Sequence, residues 1–66
     1  MIDTDELRGI IAKKRMSQAE VAKLLGIAPK TFYEKMKKGK FGSDEIDLMI
    51  DFLEIKNPIE IFFITK

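Results

Sequence analysis

The chain contains no cysteine, no histidine and no tryptophan among its 66 residues. Without cysteine no disulfide can form, and without cysteine or histidine the usual ligands of a zinc site are missing. The absence of histidine also removes the commonest general base at neutral pH, and the sequence has no phosphate-binding glycine loop. Because no nucleophile–base pair can be assigned, we expect neither an enzyme nor a bound cofactor or metal.

Long apolar runs are missing as well. None approaches the roughly 20 residues that a membrane span requires, and the acidic N-terminus lacks the pattern of a signal peptide. We therefore expect a cytoplasmic protein with no membrane partner. A chain of 66 residues has the size of a single domain, expected over 1–66, and its apolar share of 45% argues for a packed core rather than disorder.

The net charge is only +1, but the charged residues are unevenly distributed. Residues 1–7 carry a net charge of −3, residues 8–40 carry ten Lys or Arg against two Glu, and residues 41–66 carry six acids against two Lys. A basic middle segment indicates a polyanionic partner such as nucleic acid. A solvated basic face without any partner accounts for the same distribution.

The spacing of apolar residues predicts an all-α fold, a compact bundle of four to five short helices. The second helix has the clearest start, because Ser17 can cap it and Glu20 can complete a capping box. Gly26 ends that helix, Pro29 suits the first position of the third, and Gly39 ends the third. Further starts are expected at Asp3 or Thr4 with Glu6 completing a capping box, at a Ser43 cap, and at Asn57-Pro58-Ile59-Glu60.

The second and third helices are joined so tightly that they must cross at a steep angle. We expect them to bury Ala22, Ile27 and Phe32 between them. The solvent face of the third helix then projects from the body and can enter the DNA major groove. By its angle on that helix, Lys37 is a candidate for DNA contact. The apolar side of the second helix is expected to consist of Val21, Ala22, Leu24 and Leu25.

One set of residues in this pair of helices forms a recognisable motif: Met16-Ser17-Gln18-Ala19-Glu20-Val21-Ala22, Leu25-Gly26-Ile27, Thr31-Phe32 and Gly39. With these residues the pair resembles the helix-turn-helix of the Cro/CI-type (XRE) family of phage and bacterial regulators. The similarity extends from the first helix to the loop after Gly39, about two-thirds of the chain, and the remainder is similar to short phage-encoded members. It implies a lambda repressor-like fold and a sequence-specific regulator of transcription that occludes a promoter by binding a double-stranded DNA operator. No small-molecule ligand is expected.

The resemblance also implies roles for single residues. Lysine can donate to guanine O6 and N7, and glutamate can accept from cytosine N4, so the third helix carries suitable chemistry. The positions that read bases in the family are Pro29, Lys30, Tyr33 and Glu34, and those that contact phosphate are Gln18, Thr31, Lys38 and Lys40.

The chain departs from the family in two places. Ile11 and Met36 replace an Arg and a Glu that form a buried salt bridge in many members, and a concerted apolar exchange of this kind can be neutral or stabilising. The loop at Lys37-Lys38-Gly39 is one residue longer than usual, which bears on the phosphate roles of Lys38 and Lys40.

Several of these side chains also have a purely structural interpretation. Glu34 is four residues from both Lys30 and Lys38, so it can form a helix salt bridge instead of contacting a base. Tyr33 can pack, partly buried, beside its neighbour Phe32. Lys35 and Lys37 can belong to a solvated face.

The C-terminal third carries more apolar residues than one core needs. Ile46, Met49, Ile50 and Leu53 form the expected core stripe of the fourth helix. The surplus predicts a homodimer interface, or a surface for another regulator if the protein is an interaction module; alternatively, the last helix folds back and covers it. Both helix and strand stay open for Ile59–Ile64. The interface residues are expected to be Leu48, Phe52, Ile55, Phe62 and Phe63.

Overall fold

The structure is a computed structural model that describes residues 2–63 of the chain. All regular secondary structure in this range is helical, which confirms the all-α prediction. None of the helices described is long and apolar enough to cross a membrane. The helices are α1 (Thr4–Lys13), α2 (Gln18–Leu25), α3 (Pro29–Lys38), α4 (Ser43–Phe52) and α5 (Pro58–Phe62).

The start of α2 is the predicted capping box. Ser17 Oγ accepts a hydrogen bond from Glu20 N at 3.1 Å, and Glu20 Oε1 accepts one from Ser17 N at 2.9 Å. These two bonds satisfy amide groups that have no partner within the helix. At the start of α3, Pro29 occupies the first helical position, as expected.

Two other helix starts differ from the prediction. Asp3 caps α1 by accepting from Glu6 N at 3.1 Å, but the Asp3 amide donates to Ile61 O and so does not bond to Glu6. Ser43 is not a cap but the first residue of α4. The Glu45 carboxylate bonds to the amide of Gly42, the residue before Ser43. Gly42 is the N-cap, and its N–H donates to Glu45 Oε1 at 2.8 Å.

Helices α1 to α4 end in the same hydrogen-bonded turn, in which the chain passes through one left-handed residue. Gly26 (φ 75°) and Gly39 (φ 68°) have this role after α2 and α3, as predicted. Arg15 (φ 57°) and Glu54 (φ 52°) have it after α1 and α4, where a side chain makes the conformation strained. The bonds that close these turns are Met16 N to Ile11 O, Ile27 N to Ala22 O, Lys40 N to Lys35 O and Ile55 N to Ile50 O.

The core lies around α2, which packs against α1, α3 and α4, while α5 packs against α1. Ile11 and Met36 are both buried in this core, so the apolar exchange at these positions places two hydrophobic side chains inside. Leu24 is 53% exposed and does not belong to the apolar side of α2. It lies about 110° from the middle of the face formed by Val21, Ala22 and Leu25. The fully buried side chains include Leu7, Val21, Ala22, Phe32 and Met49.

The C-terminal segment is helical over Pro58–Phe62, and the helix ends before Phe63. The part of Ile59–Ile64 that the structure describes is therefore helix and not strand up to Phe62; Ile64 lies outside the described residues. Ile61 and Phe62 are buried, whereas Ile59 and Phe63 are exposed. The last helix therefore folds back onto the body with one side and leaves the other side open.

Candidate nucleic-acid interface

The connection between α2 and α3 directs α3 outward. It comprises only Gly26, Ile27 and Ala28. Gly26 turns the chain in the left-handed conformation, and Ala28 is extended before Pro29 begins α3. Because so short a link holds the two helices together, α3 buries only the side that carries Phe32 and Met36.

All five residues expected to read bases are exposed on α3, namely Pro29, Lys30, Tyr33, Glu34 and Lys37. At about 100° per residue, Lys30, Glu34 and Lys37 lie on the side opposite the buried side chains. Tyr33 lies on the flank, and Pro29 is exposed because it stands at the first position of the helix. The helix therefore presents two ammonium groups, one carboxylate and one phenol to a partner.

Three of these side chains, Tyr33, Glu34 and Lys37, had a structural alternative, and the structure bears on the first two. The Tyr33 ring meets Phe32 edge-on, with centroids 6.4 Å apart, yet Tyr33 is still 50% exposed. It therefore packs partly beside Phe32 and keeps half of its surface free. Glu34 forms no salt bridge with Lys30 or Lys38 in the part of the chain that the structure describes.

The residues expected to contact phosphate lie at two helix ends and on α3. Gln18 is the first residue of α2 and is half-buried, and Thr31 is exposed in the first turn of α3. Lys38 and Lys40 are exposed on either side of Gly39, which is itself buried. The backbone turn at Gly39 thus brings two lysines together at the C-terminal end of α3.

Sequence reasoning missed the role of Lys35, which does not belong to a solvated face. Its Nζ lies 2.7 Å from Glu45 Oε1 and 2.8 Å from Glu45 Oε2, linking α3 to α4. Burial raises the pKa of Glu45, but the hydrogen bonds from Lys35 and Gly42 and the charge of Lys35 outweigh it and hold the pKa below its ordinary value. The available signal was the position of Glu45 in the first turn of α4, next to the end of α3.

The residues expected at a dimer interface are not all exposed; some of them are buried. Leu48 is 45% and Phe63 57% exposed, and Phe52 is half-buried. Ile55 and Phe62 are instead buried in the core of the protein, because the turn after α4 and the inner side of α5 close over it. Ile59, which the sequence did not single out for this surface, is 72% exposed.

The exposed charges are unevenly distributed over the helices. Most exposed cations lie on α1 to α3 and in the loop after α3, whereas α4 exposes Asp44, Asp47 and Asp51. Among residues 2–63 no group of acidic side chains is arranged to bind a metal ion. The basic outward face of α3 is therefore the surface best suited to a polyanion.

The family model for bacterial regulatory proteins of the Fis family, a helix-turn-helix family, matches residues 2–39. These residues comprise α1, α2 and α3, including the turn at Gly26, and make up more than half of the chain. The matched family differs from the Cro/CI-type family that the motif resembles. No curated protein and no solved structure matches the chain.

Proposed function

Because the chain belongs to the Fis family of bacterial regulatory proteins and is a helix-turn-helix DNA-binding regulator, we propose that it recognises a specific double-stranded operator and represses by occluding a promoter. It does so as one domain over 1–66, in the manner of the Cro/CI-type regulators that its motif resembles. The observation that carries the proposal is the exposed face of α3, which is polar, basic and held outward by the turn at Gly26.

In this proposal α3 enters the major groove, which is about 12 Å wide and admits one helix. Lys30 and Lys37 donate to guanine O6 and N7, and the exposed Glu34 carboxylate accepts from the amino group of cytosine. The exposed half of the Tyr33 ring supplies apolar contact to a thymine methyl group. The Pro29 side chain has no polar group and so cannot bond to a base. Its ring fixes the backbone at the start of α3, which lies against the base edges.

Phosphate contacts fix the depth and orientation of α3. Gln18 lies at the N-terminus of α2, where the helix dipole favours an anion, and Thr31 offers a hydroxyl group on α3. Lys38 and Lys40 approach the phosphate backbone from the other end of α3. Contacts of this kind raise affinity for every sequence, whereas the face of α3 provides the discrimination.

We propose that two copies bind together. The exposed apolar side chains Leu48, Ile59 and Phe63, with the half-buried Phe52 one turn after Leu48, form the dimer surface. A symmetric dimer places two α3 helices in successive major grooves, about 34 Å apart, and so reads two half-sites. The acidic residues of α4 then face away from the phosphates.

The test is a selection of binding sites from random duplex DNA, followed by affinity measurements with a double variant, Lys30→Ala with Lys37→Ala. Each base contact is worth about 1–3 kcal/mol, so the loss of two contacts should lower the affinity at least about thirtyfold and weaken the sequence preference. The control, Lys13→Ala with Lys56→Ala, removes the same charge from exposed positions on α1 and beyond α4. Equal losses in both variants contradict the role of α3.

A second candidate function rests on the same exposed residues, Leu48, Ile59 and Phe63. An interaction module would use this surface to bind another regulator. Salt separates the two functions, because DNA affinity falls steeply as counterions are released, whereas apolar docking does not weaken.

A further inference from the structure

We infer that Ile2 and Asp3, here called the N-terminal strap, position the DNA-contacting loop Lys38–Lys40 by tying it to α5. The inference rests on the proposed function, since that loop is proposed to contact phosphate. It adds positioning residues that do not touch DNA themselves.

The first contact of the strap is with the loop. The Ile2 amide donates to the carbonyl of Gly39, with 3.4 Å between nitrogen and oxygen. Gly39 is buried, and the turn that ends α3 uses its amide but not its carbonyl. A buried carbonyl without a partner is costly, so the Ile2 amide completes the hydrogen bonding of the peptide that separates Lys38 from Lys40.

The second contact is with α5. The Asp3 amide donates to Ile61 O at 2.7 Å, while the Asp3 carboxylate caps α1. Two consecutive amides thus join the end of α3 to the C-terminal helix, and neither bond belongs to a regular helix. The Ile2 side chain is 8% exposed and packs in the core, which fixes the strap between its two partners.

The physical consequence concerns the loop. Lys38 and Lys40 are exposed and have no ion pair in the described part of the chain, so only the backbone orders their starting positions. A loop that is ordered before binding loses less conformational entropy when it meets DNA. The strap therefore contributes to affinity through phosphate contacts and not through base reading.

The experiment compares Ile2→Ala with Ile55→Ala. Both isoleucines are 8% exposed and lie in the same core, so the variants lose similar buried surface, but of the two only Ile2 is hydrogen-bonded to the loop in the described part of the chain. In the free protein, we expect Ile2→Ala to accelerate hydrogen exchange at the Lys40 amide about tenfold beyond its effect on the α2 amides. Ile55→Ala is expected to affect both alike. If Ala at either position prevents folding, Ile2→Val and Ile55→Val replace them.

DNA binding provides the second measurement. For Ile2→Ala we expect weaker affinity with unchanged base preference, and a slope of log affinity against log salt that is smaller by up to about two, as if two phosphate contacts were lost. Ile55→Ala is expected to leave the slope unchanged. Identical slopes in wild type and Ile2→Ala, or identical changes in both variants, overturn the inference.

The link to α5 is tested with a second pair of variants. Asp3 has a φ of −78°, which proline can adopt, so Asp3→Pro removes the amide that donates to Ile61 together with the cap. Asp3→Ala removes the cap alone. The inference requires faster exchange at Lys40 in Asp3→Pro than in Asp3→Ala, after correction for stability, and equal rates overturn it.

These measurements separate the two proposals. A wild-type protein without any preferred duplex sequence contradicts the proposed function, whereas hydrogen exchange in the free protein still decides whether the strap positions the loop.

Discussion

Gly9 and Gly26 differ in whether the backbone requires glycine. Gly26 has φ 75° at the end of α2, and Gly9 lies in the middle of α1. A Cβ atom at either position meets no other atom within 4 Å, so packing does not distinguish them. The difference between the two sites is therefore purely one of backbone conformation.

We predict that Gly26→Ala lowers the free energy of unfolding by about 1 kcal/mol, because alanine is strained in the left-handed region. Gly9→Ala should raise it by about 0.5–1 kcal/mol, because alanine loses less entropy in a helix. Urea denaturation of both variants and the wild type measures the two effects. Destabilisation by Gly9→Ala equal to that by Gly26→Ala contradicts this account.

At the scale of elements, the salt bridge between Lys35 and Glu45 links α3 to α4 in addition to the contacts of the apolar core. This link is called the tie between the two helices. The Glu45 side chain is 15% and that of Lys35 33% exposed. Glu45 also accepts from the Gly42 amide, so one carboxylate both starts α4 and anchors α3. The orientation of the outward face of α3 thus depends on a residue that is itself not proposed to contact DNA.

We predict that this tie weakens in acid. Because the pKa of Glu45 in the folded protein lies below its ordinary value of 4.5, its contribution is present above that value and is lost as the pH falls through the lowered pKa. Glu45→Gln should therefore destabilise the protein by about 1 kcal/mol at pH 7, and the difference from wild type should shrink as the pH falls through the lowered pKa of Glu45.

Denaturation midpoints measured between pH 7 and pH 3 test this prediction. Asp47→Asn is the matched control, since it removes an exposed carboxylate from the same helix. A constant difference between wild type and Glu45→Gln across this range is the result that contradicts it.

At the scale of the whole molecule, the basic face and the exposed apolar residues lie on different helices. The basic face belongs to α3, whereas the exposed apolar residues Leu48, Ile59 and Phe63 belong to α4 and to α5 with its C-cap. A protein with this arrangement can contact DNA with one surface and a second copy with the other, without one contact blocking the other.

The predicted assembly is a dimer at micromolar concentration. Light scattering should give twice the chain mass of 7.6 kDa for the wild type, and a double variant, Leu48→Ser with Phe63→Ser, should be monomeric. Leu24→Ser is the control, because Leu24 is 53% exposed but lies on α2. A wild type that is monomeric both alone and on DNA contradicts the prediction.

The local chemistry of the sequence determined the helix-turn-helix. Ser17 with Glu20, Gly26 and Pro29 act on backbone groups within a few residues, so their effects do not depend on distant parts of the chain. For the same reason the outward face of α3 followed from the helical period, once Phe32 and Met36 were assigned to the core.

Tertiary structure alone decided which surplus apolar residues are buried. Helical periodicity cannot say which side of α5 meets α1, and so it did not separate buried Phe62 from exposed Ile59 and Phe63. Nor could it show that Ile55, in the turn after α4, is buried. It also could not pair Lys35 with Glu45, or Ile2 with Gly39, because both contacts join segments whose approach is set by the packing of the whole core. Neighbouring residues determine short-range hydrogen bonds, whereas contacts between distant residues form only when the helices pack.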